Sequence, residues 1–335
     1  MILYDPTLPA SLEAFGIQIP ISNSRTTRAY EALRRHPVLT QQLDQLHHKH
    51  ITEKLGREDL LRVHAKKYVD QLYSDQLVQA ITSTYELLDA DGRYHRYAPE
   101  QATLPLSGLF ERIVRKAAGT VQCARLALDN GFCFSFAGGM HHAHFDHGSG
   151  FCLINDIVIA IRKLQAENKI ARVWIIDVDA HKGDGTAALT ANDATITTLS
   201  IHMASGWPLD GPATLADGRP NPVFIPSDID IPVESGEENR YLDRLESGLN
   251  QLAQTGPADL AIVEWGADPY EKDELPSAAK LKLSLAQLLA RDQMIDNFLS
   301  QRGIPAAYLM AGGYGDAVWE VFAQFLIWAL EKRSI

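Results

Sequence analysis

The chain is poor in the features that would tie it to an oxidising compartment, a polyanion or a bilayer. Its 335 residues hold three cysteines, Cys123, Cys133 and Cys152. None forms a C-x-x-C pair, so there is no disulfide framework, and a reducing cytosol is expected. Basic residues are outnumbered: 31 Lys and Arg against 42 Asp and Glu leave a net charge of −11. An acidic surface argues against nucleic acid as a partner and suits cationic peptides or small molecules. No apolar run reaches transmembrane length. The start, Met1-Ile-Leu-Tyr-Asp-Pro6, lacks the charged and apolar regions of a signal peptide. There is no internal repeat and no low-complexity linker. A cytoplasmic protein without a membrane partner is the expectation, folded as one domain over 1–335, since α/β domains often run to this length.

What the chain does have is centred on Ala171-Arg-Val-Trp-Ile-Ile-Asp-Val-Asp-Ala-His-Lys-Gly-Asp-Gly-Thr186. Val173 to Ile176 is a β-branched apolar run, read as a buried parallel strand. It turns polar at its carboxyl end, where open α/β sheets build ligand sites. Asp179 and His181 are two apart, so an extended chain sends both to one face. Three other strands end alike. Gly131–Ala137 runs into Gly138-Gly-Met-His141-His142; Leu260–Val263 runs into Gly266-Ala-Asp268; Ala306–Met310 runs into Gly312-Gly-Tyr314. Helices are expected over 109–129, 156–166, 237–255, 285–299 and 318–332, with Ser284 capping the fourth. Strands alternating with helices imply an α/β fold: a parallel sheet flanked by helices, with all four chemistry-bearing ends on one edge. His47, His48 and His50 read as a solvated helix face, and His64, in a helix over 59–73, as a packed core histidine.

Together these ends can do chemistry. Asp179, His181 and Asp268 are three O and N ligands with a fourth position open, the pattern of a catalytic zinc site. A base for the attacking water is available in His141 or His142. Tyr314 on its Gly-Gly turn is a candidate oxyanion donor. Asp177 and Asp184 can support these side chains.

Five motifs in fixed order, Gly-Gly-Met-His-His-Ala, Gly-Phe-Cys-x-x-Asn-Asp, Asp-Val-Asp-Ala-His-Lys-Gly-Asp-Gly-Thr, Gly-Ala-Asp-Pro and Gly-Gly-Tyr-Gly, make the sequence resemble the zinc-dependent histone deacetylase family, its bacterial and class IV-like members above all. The resemblance implies a single three-layer domain of the arginase–deacetylase fold and removal of acetyl or related acyl groups from lysine. It implies one catalytic Zn²⁺ on Asp179, His181 and Asp268. His142 would be the general base and His141 its electrostatic partner, with Asp177 behind His141 and Asp184 behind His142. Gly150 would offer a backbone carbonyl to the substrate, and Phe151 would line the acyl-lysine tunnel opposite Trp207 or Leu209. A structural K⁺ would use Asp177, Asp179, His181, Ser200 and Ile201, with an outer monovalent site near Thr190, Asp193 and Ile196.

The chain departs from that pattern at Lys182, which is expected to point to solvent. The family's loop aspartate could be Asp89, Asp91 or Glu100, and the arginine behind the site Arg25 or Arg28. One rival is an acetylpolyamine hydrolase, whose acidic rim residue would fall near Leu275, with Glu274 adjacent. A binuclear arginase-like hydrolase is disfavoured because Gly183 and Gly266 stand where it needs carboxylates. A catalytically dead acyl-lysine reader is disfavoured because every catalytic residue type is present.

Overall fold

The computed structural model describes residues 1–333. One eight-stranded sheet organises them. In chain order its strands are β1 (Ile2–Leu3), β2 (His47–His48), β3 (Phe132–Ser135), β4 (Val173–Asp177), β5 (Ile196–Met203), β6 (Ile229–Val233), β7 (Leu260–Trp265) and β8 (Ala306–Met310). The spatial order is β2-β1-β3-β8-β7-β4-β5-β6, and every pairing is parallel. The chain therefore jumps from β3 across two places to β4, builds outward through β5 and β6, and returns to fill the gap with β7 and β8. That reversal lies between β4 and β7, the kind of point where α/β sheets open a crevice at the strand carboxyl ends.

Strand alternation divides the core into layers. Phe132, Phe134, Trp174, Ile176, Leu199, Ile201, Val263 and Tyr308 face one side. They pack under the helices Ser24–Arg35, Tyr241–Gln254, Leu285–Gln301 and Trp319–Arg333. Cys133, Val173, Ile175, Ile196, Leu260, Ile262, Ala307 and Leu309 face the other, against the helices Gly108–Asn130 and Asp156–Ala166. A third apolar cluster, around Phe15, Leu60, Tyr68, Tyr85 and Leu109, sits beside the carboxyl edge. The three-layer arrangement expected from sequence is present. Ser284 closes a capping box with Gln287 at the start of Leu285–Gln301.

Two local expectations fail. His47 and His48 are not on a helix; they form edge strand β2 beside β1. The His47 ring is held by Tyr4 O at 2.7 Å and the Tyr30 hydroxyl at 2.9 Å. The helix expected over 59–73 is two, Arg57–Leu61 and Lys66–Leu72. Between them lies His64, buried as expected. Its Nδ1 donates to His144 O at 2.8 Å, and its Nε2 accepts from Asn155 N at 3.0 Å.

Candidate active site

The four strands with chemistry at their ends, β3, β8, β7 and β4, are contiguous in the sheet. Their loops bring Asp179, His181 and Asp268 together, with one ligand atom of each within 4.8 Å of the others, all buried. His181 Nδ1 lies 3.0 Å from Asp179 Oδ1 and 3.0 Å from Asp268 Oδ2. Backbone N–H groups fix the far oxygens: Ala180 N donates to Asp268 Oδ1 at 2.9 Å, and Gly312 N to Asp179 Oδ2 at 3.2 Å. The donor set fits a zinc-type ion. Two buried carboxylates this close repel, and burial together with Asp268 raises Asp179 from its ordinary value; a divalent cation relieves both costs. The cradle is also shaped for one: a Cβ on Gly312 would overlap Asp179 Oδ2 and reach 2.9 Å from Asp268 Oδ2.

Beside this trio stand two His–Asp pairs. His142 Nδ1 donates to Asp184 Oδ1 at 2.6 Å, and His141 Nδ1 to Asp177 Oδ2 at 2.8 Å. The rings are 3.9 Å apart between centroids, yet their electrostatics diverge. Burial, then the charge on His141, pushes His142 down to about 4. Burial also disfavours charge on His141, but Asp177 and Asp179 outweigh it and raise it to about 9. The two adjacent imidazoles sit in different fields: burial and its cationic neighbour favour the neutral form of His142, while Asp177 and Asp179 favour the charged form of His141. Asp184, buried but facing His142 and His144, is held well below the carboxylate range. Burial keeps the Tyr314 phenol protonated, so it remains an O–H donor.

A cavity of about 160 Å³ leads to this cluster, lined by Gly150, Phe151, Trp207, Leu275 and Tyr314. The Trp207 ring packs 4.5 Å from His142 and 5.6 Å from His181. Gly150 has φ 52°, and a Cβ there would approach His142 Cδ2 to 2.6 Å, so glycine is required for the close approach. Apart from two asparagines, the non-glycine residues with positive φ are Glu86, Arg96 and Phe151. All three line this same cavity. Such conformations cost about 1–3 kcal/mol each and gather where geometry serves function.

Sequence reasoning missed Glu86 and Arg96. The loop acids named for the mouth, Asp89, Asp91 and Glu100, do not line the cavity; Glu86 does, paired with Arg96 at 2.5 Å. The signal available was only the Glu86–Arg96 spacing around the long loop. Also missed were His144, a second donor to Asp184 at 3.0 Å, and Glu264. Glu264 faces Asp177 across the β4–β7 register and lies 3.6 Å from His141 Nδ1. Burial and Asp177 hold its carboxyl protonated far above the usual range. Trp207, not Leu209, lines the cavity. Arg25, not Arg28, stands behind the site, donating to the Gly313 and Ala311 carbonyls. Arg28 pairs with Asp316 at the surface. Glu274 turns from the cavity and accepts from Asp316 N at 3.2 Å. Lys182 does not point to solvent: it is buried and its Nζ donates to Asp230 Oδ1 at 2.7 Å. Asp193, named for an outer cation site, is paired with Arg162 at 2.5 Å.

A parallel α/β sheet with a buried Asp–His–Asp trio and His–Asp pairs at its carboxyl edge defines a hydrolase of the deacetylase class. Residues 19–330 match the family model of the histone deacetylase domain, and the chain belongs to that family. It is 31% identical to an uncharacterized protein of Picosynechococcus over 67% of this chain and 70% of that one. It is 28% identical to histone deacetylase 2 of Arabidopsis thaliana over 80% of this chain, spanning 64% of that longer protein. A histone deacetylase homolog from Aquifex aeolicus superposes with a TM-score of 0.70 at 20% identity, covering 98% of this chain and 82% of that one. An acetylpolyamine aminohydrolase from Burkholderia pseudomallei superposes with a TM-score of 0.67 at 18% identity, covering 97% of each.

Proposed function

We propose that this protein is a zinc-dependent amidohydrolase that removes acetyl or related acyl groups from lysine side chains. The observation that carries the reading is His142, hydrogen-bonded to Asp184, next to the Asp179–His181–Asp268 trio at a cavity walled by Phe151, Trp207 and Leu275. The trio would hold zinc, which supplies Lewis acidity to the acyl carbonyl and to water. His142 Nε2 accepts the proton of the attacking water and later returns it to the leaving amine. Asp184 fixes the tautomer that makes this possible. Cationic His141, held by Asp177, adds positive charge beside the developing oxyanion. Tyr314 donates its O–H to the acyl oxygen. Phe151 and Trp207 flank the aliphatic stem of the lysine, and the Gly150 carbonyl accepts from its amide N–H.

The rim favours lysine over a polyamine. Leu275, near where counting from Asp268 puts an acidic rim residue, is apolar, and Glu274 accepts from Asp316 N instead of lining the cavity. Glu86 is acidic but neutralised by Arg96. Turnover of acetyl-lysine peptides against acetylspermidine tests this: a preference for the polyamine by kcat/KM would overturn the lysine assignment. A structural K⁺ on Asp177, Asp179, His181, Ser200 and Ile201 belongs to the same reading. Its support is the register that sets Asp177 opposite Ser200 on the neighbouring strand, and loss of thermal stability on exchanging K⁺ for Li⁺ would test it. The three cysteines are unpaired and buried, and no helix among the described residues is long and apolar enough to cross a membrane. Both fit the cytoplasmic location that this reading adopts.

A further inference from the structure

A second cavity of about 130 Å³ shares His142, Gly150, Phe151, His181 and Tyr314 with the first and is otherwise lined by different residues. Its lining includes three cations, Arg25, Arg112 and Lys116, and a single carboxylate, the Asp179 of the trio. Among the described residues none of the three cations forms an ion pair. Arg25 donates to the backbone carbonyls of Gly313 and Ala311, and its buried Nε has no partner. Arg112 donates to Ser11 O at 3.0 Å and stacks on Phe15. Among the described residues the half-buried Lys116 makes no side-chain hydrogen bond or ion pair. Enclosure, then the charges of Arg112 and Arg25, pushes Lys116 down to about 7. Arg25 is buried and Arg112 and Lys116 are half-buried; an anion joining them would favour the charged form of Lys116 and offset the repulsion among the three. Leu12, Ile113 and Met310 form apolar walls between the cations and the His142–Tyr314 end, which is polar. The chamber thus suits a short aliphatic chain that ends in an anion.

We propose that this chamber binds the distal carboxylate of a dicarboxylic acyl group, so that the enzyme hydrolyses succinyl- or glutaryl-lysine as well as uncharged short acyl-lysines. The proposal rests on the deacylase reading of the site. The acyl carbonyl would sit at the trio with Tyr314, and the methylene chain would run past His142 to Lys116 and Arg112. Hydrolysis adds water across the amide: the C–N bond breaks, the oxygen of water joins the acyl carbon, and the amine leaves protonated. The other product is a dicarboxylate.

The test is kcat/KM on one lysine peptide carrying acetyl, butyryl, succinyl or glutaryl, for the wild type, Lys116→Met and Lys116→Arg, each loaded with zinc. In the wild type the succinyl or glutaryl substrate should match or exceed the butyryl one. Lys116→Met should lower the acidic-to-butyryl ratio about tenfold or more, as expected for loss of one charge-assisted hydrogen bond, and Lys116→Arg should restore most of it. Cleavage of acetyl and butyryl but neither acidic acyl group overturns the proposal and leaves the deacylase reading standing. Cleavage of none overturns both. An unchanged ratio in Lys116→Met also overturns it. So does a Lys116→Met effect confined to inhibition by free acetate, which would make the chamber a route for the departing product.

Discussion

Replacing Gly312 by alanine puts the metal assignment under direct strain. Gly312 follows β8 and passes between the carboxyl groups of Asp179 and Asp268. Its φ lies outside the left-handed region, so alanine meets no backbone penalty and the effect is steric. The new Cβ would sit 2.9 Å from Asp268 Cγ and from Asp268 Oδ2, and would overlap Asp179 Oδ2 more deeply. Ordinary contact begins near 3.4 Å, so Asp268 must retreat by about 0.5 Å and Asp179 by more. A zinc site tolerates ligand displacements of about 0.2 Å. Both carboxylates move beyond that limit at once. Disturbing a partner of a zinc ligand typically costs 10–100-fold in affinity, and moving the ligands themselves should cost at least as much. The expected result is a folded protein, by circular dichroism, that loses zinc to a chelator at least tenfold more readily than wild type and has lost most deacylase turnover. Gly56→Ala, where a Cβ meets nothing within 4 Å, is the control. If Gly312→Ala held zinc as tightly as wild type and stayed active, the trio would not be the metal site. If it kept zinc but lost turnover, the steric argument would have been misplaced onto the ligands.

The other predictions separate the remaining roles. His142→Ala should retain zinc, by atomic emission, and lose nearly all turnover, whereas Asp268→Ala should lose both; zinc loss in His142→Ala would exchange base and ligand. Tyr314→Phe should keep fold, zinc and peptide binding while turnover falls on the order of 10²–10³, and near wild-type turnover would remove the oxyanion role. His64 is buried and held at about 4, by burial first, so it takes up its proton later than in the unfolded chain, where its value is 6.5. Stability should therefore decline as pH falls through 6.5 and level off near 4, with His64 contributing up to roughly 3 kcal/mol of that decline. Urea midpoints across this range should fall less steeply in His64→Gln; an identical slope would show that His64 is not the group responsible.

Why the site was largely legible in the sequence, and its surroundings less so, follows from how each is specified. Asp179, His181, Asp268, His141, His142 and Tyr314 each stand within a few residues of a strand end. A parallel sheet carries all such ends to one edge whatever the strand order, so their convergence needed no knowledge of topology. The order itself, with β7 and β8 returning between β3 and β4, has no local signature. Glu264 shows the consequence. It is the fifth residue of β7 and reads as one polar interruption in an apolar run; only the pairing of β7 with β4 puts it opposite Asp177. Glu86 and Arg96 reach the mouth through positive φ at non-glycine positions, a conformation that residue type argues against.

Lys182 shows where local reasoning about charge fails. It stands between His181 and Gly183, and a lysine at a strand end ordinarily reaches water. Here the sheet continues past it. β5 and β6 lie outside β4, and Asp230 on β6 comes within 2.7 Å of its ammonium, with Ser227 Oγ at 3.4 Å. The cation that departs from the family pattern therefore has its counter-ion in a strand some fifty residues later, on the side of β4 away from Asp268. It is close enough to His202 to help hold that ring at about 4, after burial. The basic residues of this acidic protein thus divide by partner. Lys182 is matched by an acid and is structural. Among the described residues Arg25, Arg112 and Lys116 are matched by no acid, and they line one of the two cavities that reach His142, His181 and Tyr314. The missing partner of those three is best sought in what the enzyme binds.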